Sequence, residues 1–157
     1  PERAAREAFC RLMSSVLARF RTISQMEFYK NAEEMRGEMT RFLMNEKYVP
    51  KKYRFVFTYP MIDVLKKLFR HMLDANQVFA YTDAAVAERK RLQAICITDC
   101  EDLFDSLQFL METLEYGDID ASHPISGSLQ RIGELLDKEE SLLSAWRKST
   151  KRIGATH

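Results

Sequence analysis

VAERKRLQAICITDCEDLFDSLQFLMETLEY, residues 86–116, is the longest run in the chain that reads as one helix. Cys96, Cys100, Leu103, Leu107, Leu110 and Leu114 recur in alternating steps of four and three, and Val86, Ile97, Phe104 and Met111 widen the stripe. Side chains at that spacing share one face of an α-helix, and the stripe is broad enough to wall a helical core. The polar side is sorted by sign. Glu88-Arg89-Lys90-Arg91 opens it, and no further Lys or Arg occurs before Arg131. Asp99, Glu101, Asp102, Asp105, Glu112, Glu115, Asp118 and Asp120 fill the gap. The helix runs from a basic start to an acidic end.

A chain of 157 residues has the length of one domain and can bury about 70% of the surface its unfolded form exposes. Apolar residues make up 46% and charged residues 30%, which excludes a disordered chain. No apolar run approaches the roughly 18 residues a membrane-spanning helix needs. Five glycines and four prolines are too few for a chain of many tight turns, and Leu, Met, Ala, Glu and Arg dominate, so the expected class is all-α. A net charge of +1 leaves any nucleic-acid binding to a local patch. Cys10, Cys96 and Cys100 form an odd set without a secretory signal, which points to a reducing, cytoplasmic setting.

Residues 1–23 carry Phe9, Leu12, Met13, Val16, Leu17 and Phe20 at helical spacing, among Arg3, Arg6, Arg11, Arg19 and Arg21. They read as an additional N-terminal amphipathic helix, either packed on the main domain or acting as a basic arm. Ser24-Gln25-Met26-Glu27 fits the capping box that opens a helix. Phe28, Ala32, Met35, Met39 and Phe42 follow in helical phase, and Gly37 among them suggests close approach by a neighbouring helix. Pro50 suits the first turn of the next helix. Pro60, further on, predicts a kink or a short leading helix that restarts near Thr58. Ile62, Leu65, Leu68, Phe69, Met72 and Leu73 form the stripe of that helix. Val78, Phe79 and Tyr81 read as a loop tucking aromatic rings under one end, and Thr82 or Asp83 as the cap of the long helix. Gly117 suits its C-terminal end, and residues 117–124 form a polar, breaker-rich loop. Leu129, Ile132, Leu136, Leu143 and Trp146 mark the last helix, whose tail over 147–152 is expected to fray before a disordered end at 153–157.

Four main helices are thus expected near 24–46, 51–76, 83–116 and 126–148, within one domain over 24–152. Connections this short favour antiparallel neighbours, so the expected fold is an antiparallel up-down-up-down four-helix bundle. That topology sorts charge by end. Lys66, Lys67, Arg70, Arg89, Lys90, Arg91, Arg147, Lys148, Lys151 and Arg152 gather in the lower half, and much of the acidic run lies in the upper. Lys51, Lys52 and Arg54 form a small basic cluster at the top.

Little in the chain suggests catalysis. Cys96 and Cys100 stand one turn apart and could share a metal, but their phase with Leu103 and Leu107 reads as core. His71, His123 and His157 lack a second ligand at a metal-binding interval, and the Glu-x-x-His signature of di-metal bundles is absent. Ser122-His123 with Asp118 and Asp120 has the letters of a hydrolytic site in a segment ill suited to hold one. Tyr53, Phe55, Phe57 and Tyr59 interleave with basic residues and could stack bases, although Tyr53 and Phe57 read as inward-facing. No catalytic residue, metal site or cofactor is assigned.

Three stretches together carry a resemblance. Pro50-Lys51-Lys52-Tyr53-Arg54-Phe55 resembles the opening of the second helix in the accessory variability determinant family, the four-helix-bundle accessory proteins of diversity-generating retroelements. Arg89 to Leu114 is similar to that family's third helix, and Leu129-x-x-Ile132-Gly133-Glu134 through Trp146-Arg147-Lys148 to its last. Tyr29-Lys30-x-Ala32 resembles the opening of the bundle proteins encoded by intervening sequences of bacterial large-subunit ribosomal RNA genes, in the same wider superfamily. The resemblance spans about residues 26–150. It implies a ring-shaped homo-oligomer, usually a pentamer, whose basic surface binds the element's reverse transcriptase and RNA, with no membrane partner. The candidate RNA-binding residues are Arg89, Lys90, Arg91, Arg147, Lys148, Lys151 and Arg152, with Lys51, Lys52 and Arg54 at the other end. The alternative is a protein–protein scaffold of the same superfamily that has no nucleic-acid role and docks partners on its acidic helix.

Overall fold

The computed structural model describes residues 23–114 and 123–154. Among these it holds four α-helices and no strand: α1 (Glu27–Met44), α2 (Tyr59–Gln77), α3 (Asp83–Thr113) and α4 (Pro124–Ser149). Residues 1–22, 115–122 and 155–157 lie outside the described residues, and with them nearly all of the helix expected over 1–23 and most of the loop expected over 117–124. No helix among the described residues is long and apolar enough to cross a membrane.

The stripes read from the sequence become one core. Met39, Leu65, Phe69, Leu103, Leu107, Leu110, Ile132 and Leu136 are all buried, and so are Cys96 and Cys100. Helix α3 packs along both α2 and α4, and α1 lies mainly on α4 and more lightly on α2. Between α1 and α4, Glu27 pairs with Lys138, Asn31 with Glu139, and Glu34 with Arg131. Phe57 meets Phe109 (ring centroids 5.1 Å apart) while His71 meets Asp99, and Gln93 meets Thr150. Phe28 stacks on Trp146 with 4.2 Å between ring centroids.

Several local expectations are corrected. The capping box does not form: α1 begins at Glu27 with Met26 as its N-cap and no side-chain cap bond. A turn from the Met26 N–H to the Ile23 carbonyl precedes it and moves the helix start past Ser24. Gly37 is not a point of helix contact. A Cβ there would meet only the Arg41 guanidinium of its own helix, at 3.5 Å. Phe104 does not widen the buried stripe but is 45% exposed, lining an open groove with Leu107, Met111 and Leu129. The tail of α4 is not frayed. The Thr150 hydroxyl donates to Gln93 Oε1 at 3.0 Å, and the Ile153 N–H donates to the Ala80 carbonyl at 2.7 Å.

The approach to α2 explains its proline. A 3-10 turn over Lys51–Tyr53 leads into a π-helical turn over Arg54–Thr58, and α2 starts at Tyr59 with Pro60 in its first turn. The backbone stays helical through Thr58 and Tyr59, and the wide π-helical turn stands directly before Pro60, whose missing N–H cannot bond back to it. Thr58, at the junction, donates its hydroxyl to the Leu43 carbonyl at 3.1 Å.

Candidate nucleic-acid interface

The start of α3 is set by Thr82, whose hydroxyl accepts from the Ala85 N–H at 3.1 Å, as a helix N-cap should. The three cations that follow then diverge, since successive helical positions are ~100° apart. Arg89 turns inward. Its guanidinium stands 5.6 Å from the Trp146 ring centroid, and Nη1 donates to the Val78 carbonyl at 3.0 Å. Burial lowers its pKa, although an arginine keeps its charge in such a setting. Lys90 is half-buried, and its carbonyl accepts from Arg147 Nε at 3.1 Å. Arg91 points to solvent and is engaged by both carboxylate oxygens of Glu88, at 2.8 and 2.9 Å.

The end of α4 returns to the same place. Arg152 Nε donates to the Tyr81 carbonyl at 3.1 Å, and its Nη1 lies 3.7 Å from Asp83. Lys148 and Lys151 are exposed, and among the described residues Lys90, Lys148 and Lys151 make no ion pair. The structure thus brings Arg89, Lys90, Arg147, Lys151 and Arg152 to one end, stitched together by guanidinium–carbonyl bonds. A shallow cleft of about 180 Å³ opens there between Ala80, Arg89, Trp146 and Lys151. Glu88 and Asp83 offset part of the charge, through Arg91 and Arg152.

Phe79 and Tyr81 do not tuck their rings under this end, whereas Val78 is half-buried. Phe79 is 64% exposed and Tyr81 60%, while Ala80 between them is the buried residue. The reason is long-range: Arg89, Ile153 and Arg152 draw in the carbonyls of this segment, and that sets which side chains face out.

The second cation cluster is remote. Phe57, just beyond Arg54, packs on Phe109, which lies 20 residues past Arg89 and so ~30 Å along α3. Glu46 pairs with Lys51 at 3.2 Å and with Arg54 at 3.4 Å, while Lys52 sits over the Tyr53 ring. Of the aromatic residues there, Phe57 is buried and Tyr53 packs against the core, leaving Phe55 and Tyr59 outside.

The acidic half of α3 has two faces. Asp99 bonds His71 at 2.6 Å; burial raises its pKa and the imidazole opposes that rise. Glu101, Asp102, Asp105 and Glu112 are exposed and make no ion pair among the described residues. Beside them, Phe104, Leu107, Met111, Leu129 and Gly133 line an apolar groove of about 510 Å³.

Of the other chemical candidates, Cys96 and Cys100 are buried in the core and His123 sits at a helix cap. Cys96 and Cys100 are free thiols whose pKa values burial raises, and among the described residues no cluster could hold a metal ion. His123 caps α4, its Nδ1 accepting from the Ile125 N–H at 3.2 Å. Asp118, Asp120 and Ser122 lie outside the described residues. Sequence reasoning missed one pair altogether. Asn31 and Glu139 are buried and bonded to each other at 2.8 Å. Glu139 is in phase with Ile132, Leu136 and Leu143, and Asn31 with Phe28 and Met35, so periodicity held the signal. No family model, no curated protein and no solved structure matches the chain.

Proposed function

We propose that the protein is a non-enzymatic, self-associating RNA-binding protein. Following the resemblance of its helices, it serves the reverse transcriptase of a diversity-generating retroelement in the cytoplasm, as a pentameric ring. The observation that carries the proposal is the meeting of Arg89, Lys90, Arg147, Lys148, Lys151 and Arg152 at one end of the helices, where the three lysines make no ion pair among the described residues. Phosphate neutralisation by such a patch supplies most of the affinity in sequence-independent nucleic-acid binding. The bundle it stands on is taken as antiparallel, up-down-up-down, with residues 1–23 as an added amphipathic helix. Support comes from residue pairs such as Glu27–Lys138 and Glu34–Arg131, where rising numbers in one helix meet falling numbers in the other. A basic end and an acidic helix on one protomer also suit a head-to-tail contact, which closes into a ring when its rotation allows.

RNA binding is tested by titrating labelled oligouridine at several salt concentrations. Changing Lys90, Lys148 and Lys151 together to Gln is expected to weaken binding and to lower the salt slope by about 2, at ~0.7 per single-strand phosphate contact. Changing Lys51, Lys52 and Arg54 should do less, since Glu46 already engages two of them. Equal affinity and slope in the lysine variant would remove this patch as the site. Light scattering that shows a monomer at low salt would remove the ring.

The exposed acids of α3 and the apolar groove beside them favour a second possibility, a protein–protein scaffold docking its partner there. In that case the wild-type protein shows no salt-dependent RNA binding.

A further inference from the structure

The basic end carries an aromatic patch for which phosphate binding alone has no use. Phe79 and Tyr81 belong to the link between α2 and α3, at the two ends of a tight turn closed by the Tyr81 N–H donating to the Phe79 carbonyl at 2.9 Å. Their ring centroids lie 6.1 Å apart, with the planes 26° from parallel. The link is firmly mounted. The carbonyls of Val78, Ala80 and Tyr81 accept from Arg89 Nη1, the Ile153 N–H and Arg152 Nε, at 3.0, 2.7 and 3.1 Å. Two large rings left in water forgo burial that would stabilise the fold, and here they stand among cations.

We infer that this end binds single-stranded RNA, stacking unpaired bases on Phe79 and Tyr81 while Lys90, Lys151 and Arg152 hold the flanking phosphates. The inference rests on the RNA-binding reading above and adds what form of RNA is taken and how. Flat, near-parallel rings beside a cationic track are the two parts of a stacking platform for single strands. A duplex does not fit, because its base faces are already covered by their neighbours, and folded RNA is read at unstacked loops and ends. An anionic membrane would also accept aromatic and basic residues, but it has no use for two rings held parallel on a stiff link.

The test measures labelled oligouridine, a labelled blunt RNA duplex and phosphatidylserine vesicles against wild type and Phe79→Ala/Tyr81→Ala. The exposed rings leave the core intact when removed, so an unchanged melting curve is expected to accompany the binding data. A Phe79→Leu/Tyr81→Leu variant, apolar but not planar, guards against loss of folding. Both variants should bind oligouridine roughly 10- to 100-fold more weakly. The salt slope should stay the same, because a neutral ring displaces no cations. Duplex affinity should not move. Variants that bind oligouridine as wild type does, or that lose duplex binding equally, overturn the stacking role and leave the RNA-binding proposal standing. Vesicle binding that is lost in the variants while RNA binding persists reassigns the patch to a membrane. A wild-type protein that binds neither RNA overturns the RNA-binding proposal itself.

Discussion

Asn31 on α1 donates its side-chain amide to Glu139 on α4 at 2.8 Å and to the Leu135 carbonyl at 3.0 Å, with both side chains out of contact with solvent. Glu139 Oε1 and Asn31 Oδ1 are left without a hydrogen-bond partner. A proton on Glu139 turns one of these acceptors into a donor. Burial pushes the Glu139 carboxyl up to about 7 from its ordinary 4.5, against the pull of the Asn31 bond and the Lys138 charge. Cys96 and Cys100 of α3 face the same carboxyl as neutral thiols.

The sign of the pH effect follows. Between pH 4.5 and about 7 the native state holds a proton that the unfolded chain has released, so stability falls as pH rises through that window and levels off above it. The loss is on the order of 3 kcal/mol. Glu139→Gln should flatten the profile and be the more stable form at pH 8, where the wild-type carboxyl is ionised. Urea unfolding of both proteins at pH 5 and pH 8 measures this; parallel pH profiles would sink it.

Core truncations should separate by position. Leu103 is fully buried, whereas Leu107 borders the groove. Both are expected to cost ~2–5 kcal/mol as alanine, Leu103→Ala toward the upper end, because the groove lets the Leu107 site relax or admit water. Chemical denaturation of the two variants gives the comparison, and the reverse order would place the core elsewhere.

Two glycines stand in helix interiors without a packing reason. A Cβ at Gly37 makes only an ordinary contact with Arg41, and one at Gly133 meets nothing within 4 Å. Alanine at either position should raise stability by about 0.5–1 kcal/mol. A loss at Gly133 instead would show up in thermal melts and would mean that a partner or a second copy sits against α4.

Arg89 is as much a structural residue as a binding one. Arg89→Ala removes its bond to the Val78 carbonyl and its contact with Trp146, and should cost roughly 1–3 kcal/mol. Arg91→Ala gives up only an exposed pair with Glu88, which solvent screens, so its melting curve should move less. Melting both variants side by side tests the distinction. It also explains why an RNA-binding test should spare Arg89: a weakened fold would pass for lost affinity.

The sequence by itself determined the helices and most of the core, because a 3.6-residue period is a local property. Leu103, Leu107 and Leu110 can share a face in only one regular structure, and Leu129, Ile132 and Leu136 follow the same rule. Thr82 was legible as a cap for the same reason, since its partner is three residues away. What the tertiary structure alone decided lies where periodicity stops or where the neighbour is distant. Phe79 and Tyr81 face out because carbonyls in their link are held by Arg89, Arg152 and Ile153, contributions from up to 73 residues away that no local pattern encodes. Helical phase already separates Arg89 from Arg91, but the partners that anchor half-buried Arg89, Trp146 and the Val78 carbonyl, come from elsewhere in the fold. Glu139 is in phase with the α4 stripe, but only the tertiary structure set Asn31 opposite it across 108 residues of chain, and burial there, not that bond, raises its carboxyl pKa.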